Sequence, residues 1–230
     1  MPLFYQHNIN EQTKLGIWKI EEPEDFFLTD VPLKREITHP HKRLQHLAGR
    51  YLLKYLFPDF PYEEIVIADT KKPYLPYEQY HFSISHCGNY AAAIVSKEKR
   101  VGIDIEIPTE RLLRISNKFL NEKEREQFSV AGFQFPVRET LGATPETTNY
   151  KLQTTNLELL TVLWGAKEAV FKWWGWGSVD FSEHILLSPF EFEPTGYIDA
   201  TFIRTQETFA LELQYKLFDK LCLVWLFSAQ

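Results

Sequence analysis

Three short segments of this chain carry residues whose types and spacing could do chemistry. The first is Asp104-Ile105-Glu106. On an extended strand, residues two apart point to one side, roughly 6–7 Å apart at the backbone. Two carboxylates so placed can converge on one hard cation, which favours their ionised forms and offsets their mutual repulsion. Mg²⁺ suits them, because it takes one or two carboxylates, waters and phosphate oxygens. The competing reading is the solvent-facing side of a half-buried strand. The second segment is a stripe, Glu158, Thr161, Gly165, Glu168 and Lys172, on a helix that is otherwise apolar around most of its circumference. Spacings of three and four place the stripe on one side. Glu168 could join a cation and Lys172 a phosphate oxygen. The alternative is a plain Glu168–Lys172 surface ion pair. The third segment is Phe82-Ser83-Ile84-Ser85-His86, followed by Gly88. Ser85 and His86 could donate to a phosphate. A Ser–His hydrolase pair is disfavoured, because adjacent strand residues point apart and no G-x-S-x-G turn is present. A structural turn histidine is the alternative.

A concentration of cations stands upstream: Lys34, Arg35, Lys42, Arg43, Arg50, Lys54, Lys71 and Lys72. In a chain of net charge −6 this suggests a local surface for an anion. The same net charge argues against general binding to nucleic acid or to an acidic membrane. Neither GxGxxG nor GxxxxGK[ST] is present. The chain has 230 residues, 44% hydrophobic and 24% charged, which is enough for one large domain or two small ones. Two cysteines, Cys87 and Cys222, make neither a disulfide framework nor a zinc site. No apolar run is long enough to span a bilayer and no secretory signal is visible, so a cytoplasmic protein is expected.

The elements that must position these residues can be placed coarsely. Residues 1–30 are uninformative, and their acidic stretch Glu21, Glu22, Glu24 and Asp25 reads as solvated surface. A helix starts near Thr38-His39-Pro40 and ends by Phe57, before Pro58. Leu44, Leu47, Tyr51 and Tyr55 fall near one side of it, with Arg43, Arg50 and Lys54 along a basic stripe. Strands are expected over Tyr62–Ala68, Gln79–Ser85, Tyr90–Ser96 and Val101–Ile107, with turns at His86–Asn89 and Lys97–Arg100. Short helices follow at Arg111–Phe119 and Asn121–Phe128, the second capped by Asn121 with Glu124 at its third position. Residues 129–156 read as a long flexible loop. A strong helix spans Leu157–Trp174 and stops at Gly175 and Gly177. Strands Ile185–Phe190, Tyr197–Arg204, Phe209–Tyr215 and Leu221–Phe227 close the chain. Helix followed by strands thus occurs twice, which fits two similar α+β halves joined near Ile107–Glu110.

Taken in order, Lys72-Pro73, the F-S-I-S-H block, Gly102-Ile103-Asp104-Ile105-Glu106 and Trp164-Gly165-Ala166-Lys167-Glu168-Ala169-Val170-Phe171-Lys172 resemble the 4′-phosphopantetheinyl transferase superfamily, Sfp type. The resemblance implies an α+β fold of two pseudo-symmetric lobes, residues 1–107 and 108–230, each a small antiparallel sheet on a long helix, with coenzyme A in the cleft. It implies transfer of the 4′-phosphopantetheine arm of coenzyme A to a serine of an apo acyl or peptidyl carrier protein, with release of 3′,5′-ADP. Asp104, Glu106 and Glu168 would hold Mg²⁺, with Glu168, Lys172 and Asp104 at the chemistry. Lys172 would bind phosphate, and Ser85 and His86 the coenzyme A phosphates. Lys72 and Pro73 would line the nucleotide pocket, with Arg43 and Arg50 as basic positions of the first helix. A monomer, free of nucleic acid and membrane, is implied. Two readings compete: a catalytically silent homologue that binds coenzyme A or a carrier, and a Mg²⁺-dependent nucleotide pyrophosphatase. Segment 129–156 looks long for the family and lies near where carriers dock. Cys87 is expected to have no catalytic role.

Overall fold

The structure, a computed structural model, describes residues 3–34, 36–130, 150–204 and 206–228. The chain folds into two compact units. The first comprises residues 1–105, 171–177 and 225–230, and the second residues 106–170 and 178–224.

In the first unit, β1 (Leu3–Asn8) and β2 (Thr13–Lys19) form a hairpin, followed by the short α1 (Glu24–Leu28) and the long α2 (Pro40–Leu56). Then come β3 (Val66–Ile67), β4 (Pro73–Tyr74), β5 (His81–Cys87), β6 (Tyr90–Ser96) and β7 (Arg100–Glu106), the last of which crosses into the second unit at Glu106. Four of these strands make an antiparallel sheet in the order β1-β2-β6-β5. β5 and β6 are joined by two residues, and Gly88 takes the positive φ of 46° that such a tight hairpin asks of its first turn residue.

Helix α2 starts as the sequence requires. Pro40 occupies the first turn, where a missing N–H costs nothing, and the His39 side chain accepts from the Lys42 amide. Its buried face is Leu47, Ala48, Leu52, Leu53 and Leu56, packed on Trp18, Phe82, Ala91, Ala93 and Val95 of the sheet. The face is rotated from the one expected: Leu44 and Tyr51 are only partly buried, and Tyr55 is exposed. Gly49 permits the close approach, since a Cβ there would meet Ile84 Cγ2 at 2.6 Å.

The second unit holds α3 (Arg111–Ile115), α4 (Glu122–Val130), most of α5 (Tyr150–Trp174) and α6 (Phe181–His184), then β8 (Ile185–Leu187), β9 (Thr195–Arg204), β10 (Glu207–Phe218) and the first four residues of β11 (Leu221–Ser228). A five-stranded sheet runs in the order β7-β11-β10-β9-β8. The β9–β10 hairpin is paired from Thr195↔Lys216 to Arg204↔Glu207. Asn121 and Glu124 form the expected capping box: Glu124 N donates to Asn121 Oδ1 at 2.8 Å and Asn121 N to Glu124 Oε2 at 3.0 Å.

Several expectations need correction. Residues 1–30 contain two strands rather than featureless surface, and Leu3, Tyr5 and His7 alternate toward the partly buried side of β1. Tyr62–Ala68 is not one strand. Tyr62–Glu64 is a turn of 3-10 helix, held where the Tyr62 hydroxyl donates to Pro32 O at 3.1 Å, and only Val66–Ile67 pairs. His86 and Cys87 belong to β5 rather than to the turn. Of the loop expected over 129–156, α4 claims the first two residues and α5 the last seven. Residues 131–149, like Arg35, lie outside the described residues.

Candidate active site

Within the first unit, three predicted residues meet. The edge strand β5 brings Ser85 beside Asp104 of β7, and the last turn of α5 brings Lys172. The Lys172 ammonium donates to Asp104 Oδ1 at 2.6 Å and to Ser85 Oγ at 2.8 Å, and the Ser85 hydroxyl donates to the same Oδ1 at 2.8 Å. Asp104 is 2% exposed, so it is not the solvent-facing residue of the alternative reading. The alternating pattern misleads here because both faces of β7 are covered between Val101 and Ile105. Two serines let this happen: Ser83 Oγ accepts from Ile103 N at 3.2 Å while Ser85 serves Asp104, so buried polar groups of β7 find partners on β5.

Asp104 Oδ2 is different. It is buried and has no hydrogen-bond partner among the described residues. A buried carboxylate oxygen left unpaired is costly unless something cationic meets it. A hard divalent cation fits that oxygen, and the chemistry of Asp104, Glu106 and Glu168, all oxygen donors, fits Mg²⁺. Among the described residues, no group of three or more His, Cys, Asp or Glu side chains is gathered to hold a metal.

Three lysines, Lys71, Lys72 and Lys172, are among the residues that line a cavity of about 210 Å³, together with Pro73 and Ser83. Burial, with the like charge of Arg100 adding to it, pushes the Lys72 pKa down to about 8. Its ammonium donates to Trp173 O at 3.5 Å. The chain must pass close by: Gly175 has φ +77°, and a Cβ there would overlap Lys72 Nζ. This glycine both ends α5 and leaves room for the lysine. Three lysines around one cavity favour an anion such as a diphosphate there. His86, at the end of β5, lies within electrostatic reach of both Lys172 and Asp104. Desolvation lowers its pKa most, Lys172 adds to that and Asp104 opposes it.

The basic stripe of α2 is more engaged than expected. Arg43 Nε meets Glu24 at 2.7 Å and Arg43 Nη1 donates to Ile37 O at 2.9 Å, so Glu24 of the acidic stretch is a partner and not merely solvated. Arg50 Nη1 lies 3.0 Å from His46 Nδ1, and Lys54 donates to Asp30 O at 3.2 Å.

In the second unit, Glu106 Oε1 accepts from the Trp164 indole N–H at 3.1 Å. Glu168, one turn further along α5, is partly buried. Other members of the stripe are not solvent-facing: Thr161 is fully buried and donates to Leu157 O, and Gly165 is buried too. Burial raises the Glu158 pKa. Sequence reasoning gave Lys167 no role, yet it is fully buried and bonded to both oxygens of Glu124, at 2.6 and 2.9 Å. It also donates to the carbonyls of Phe181 and Ile185. The signal was there: a lysine on the apolar side of a helix, beside Ala166 and Val170, demands a buried partner.

A family model describing the 4′-phosphopantetheinyl transferase superfamily matches residues 100–224, more than half of the chain, and the chain belongs to that superfamily. Among curated proteins it is similar to enterobactin synthase component D of Escherichia coli (strain K12), 30% identical over 113 residues, 48% of this chain and 54% of that protein. The Salmonella typhi protein of the same name is 27% identical over 165 residues, 70% of this chain and 58% of that one. The chain thus spans little more than half the length of the curated relatives it matches. No described helix is long and apolar enough to cross a membrane.

Proposed function

We propose that this protein transfers the 4′-phosphopantetheine arm of coenzyme A to a serine of an apo carrier protein and releases 3′,5′-ADP. The observation that carries the reading is the Lys172–Asp104–Ser85 cluster, with one buried carboxylate oxygen left for a cation, beside a cavity lined by three lysines. Family membership and the likeness to enterobactin synthase component D support it.

In this reading Asp104, Glu106 and Glu168 hold Mg²⁺. When bound, Mg²⁺ would supply positive charge to the diphosphate of coenzyme A. Lys72 and Pro73 flank the nucleotide, and Ser85, His86 and Lys172 donate to phosphate oxygens, with Arg43 and Arg50 as further basic contacts. Glu168 accepts the proton of the carrier serine hydroxyl. The serine oxygen forms its bond to the β-phosphorus as the bond to the bridging oxygen breaks, and 3′,5′-ADP leaves with that electron pair. Lys172 answers the growing charge on the phosphoryl oxygens, so the protein's work is positioning and electrostatics.

The proposal extends to two pseudo-symmetric lobes, residues 1–107 and 108–230, since each unit pairs an antiparallel sheet with a long helix. It includes a monomer in the cytoplasm. The test is incubation with coenzyme A, Mg²⁺ and an apo carrier, followed by mass spectrometry of the carrier. A phosphopantetheine mass gain supports transfer. Bound coenzyme A with no gain across several carriers supports the silent binder, and ADP release without a carrier supports the pyrophosphatase.

A further inference from the structure

We infer that Trp164 and Lys167 are positioning residues that aim the carboxylates of Glu106 and Glu168. The inference rests on the assignment of those two carboxylates to the metal. Trp164 acts directly, through the 3.1 Å hydrogen bond from its indole N–H to Glu106 Oε1. The indole itself is fixed by edge-on contact with Phe119, ring centroids 5.1 Å apart, and by Phe181 at 5.7 Å. An N–H held by packing on two sides gives the carboxylate one rotamer rather than several.

Lys167 acts through the helix. Consecutive residues of an α-helix lie about 100° apart around its axis. Whatever fixes the rotation of α5 at Lys167 therefore fixes the direction in which Glu168 leaves it. The fixing is thorough. The buried ammonium bonds both oxygens of Glu124 and two carbonyls, Phe181 O and Ile185 O. Glu124 in turn accepts from Leu187 N at 2.8 Å and from Asn121 N at 3.0 Å. One node thus ties α5 to the first turn of α4, to the start of α6 and to β8. Neither Trp164 nor Lys167 offers a carboxylate or an exposed charge to a substrate, so both act through the acids beside them.

The test uses the full chain and Mn²⁺ alone, whose free six-line paramagnetic resonance signal disappears on binding. Trp164→Phe keeps a ring between Phe119 and Phe181 and removes only the donor. Lys167→Arg keeps the charge but replaces a compact ammonium with a planar fork that cannot reach the same four oxygens. Circular dichroism and a melting curve establish that each variant is folded. Loss of an outer partner of a metal ligand typically weakens metal binding 10–100-fold. We therefore expect Trp164→Phe to bind Mn²⁺ about ten-fold more weakly, and Lys167→Arg at least as weakly as that. The Mg²⁺ concentration for half-maximal transfer rises in step, while KM for coenzyme A stays within about two-fold because Lys72 and Ser85 are untouched. Folded Trp164→Phe with wild-type Mn²⁺ affinity overturns the inference, even if its melting point falls. Should Lys167→Arg fail to fold, Trp164→Phe decides alone. Wild-type protein that takes up no Mn²⁺ refutes the metal assignment itself, and this inference with it.

Discussion

Replacing Lys172 with methionine keeps most of its volume and removes the charge facing Asp104. Asp104 is 2% exposed; its Oδ1 receives Lys172 at 2.6 Å and Ser85 at 2.8 Å, and its Oδ2 receives no hydrogen bond from the described residues. In Lys172→Met one hydroxyl donor is left for a whole buried carboxylate. Breaking a fully buried ion pair costs about 3–5 kcal/mol. The Lys172 side chain is 25% exposed, so water softens the loss, and about 2–3 kcal/mol is expected. For a chain of this size that lowers the melting point by roughly 4–12 °C. In the Asp104→Asn/Lys172→Met double variant no buried charge remains unpaired. The double variant should therefore be more stable than the sum of the two singles by about 1–2 kcal/mol. Urea denaturation of the four proteins, without metal, measures the cycle. Additivity within about 0.5 kcal/mol would show that the two charges do not depend on one another, and the reasoning about this cluster would fail.

Other consequences follow from the same geometry. The protonated form of Lys72 attracts phosphate and its pKa is about 8, so affinity for coenzyme A should be full below that pH and fall as pH rises through it. Calorimetric titrations from about pH 7 to about pH 9.5 check this, and in Lys72→Met the fall should vanish. Because folding lowers that pKa from 10.5, the unfolded chain binds the extra proton, and the Lys72 contribution to stability grows between about 8 and 10.5. Gly175→Ala forces a Cβ onto Lys72 Nζ at a positive φ, so it should cost about 1–3 kcal/mol and weaken coenzyme A binding, read from a melting curve and a titration. Asn121→Ala removes the cap of α4 and should cost about 1 kcal/mol by urea denaturation, with transfer largely retained.

What the sequence reveals here depends on whether the signal is local. Helix α2 is legible because proline, its cap and Pro58 are all within the segment, and the Asn121/Glu124 box is legible for the same reason. The start of α5 is not. Residues 150–156 carry no apolar repeat, yet a helix already buried from Leu159 onward extends at one hydrogen bond per added residue, which is cheap once a nucleus exists. Tyr62–Ala68 has the composition of a strand, but strand formation needs a partner, and only Val66–Ile67 finds one. At the site, the types and spacing of Ser85, Asp104 and Lys172 were visible, while their convergence was not: they are 19 and 68 residues apart in pairs that only the tertiary fold brings to 2.8 and 2.6 Å. The Lys167–Glu124 pair, 43 residues apart, was hidden for the same reason. The Glu24–Arg43 pair shows the opposite error, in which an acidic stretch suggested solvent and hid a partner.

The central claim is that the acids of this chain act on the diphosphate of coenzyme A during transfer to a carrier serine. The most direct measurement is the rate of phosphopantetheine mass gain on an apo carrier for wild-type, Asp104→Ala and Glu168→Ala proteins at saturating coenzyme A and Mg²⁺, with folding checked by circular dichroism. The account predicts clear transfer by the wild type and a loss of about a hundred-fold or more in each folded variant. Near-normal rates in both variants would contradict it.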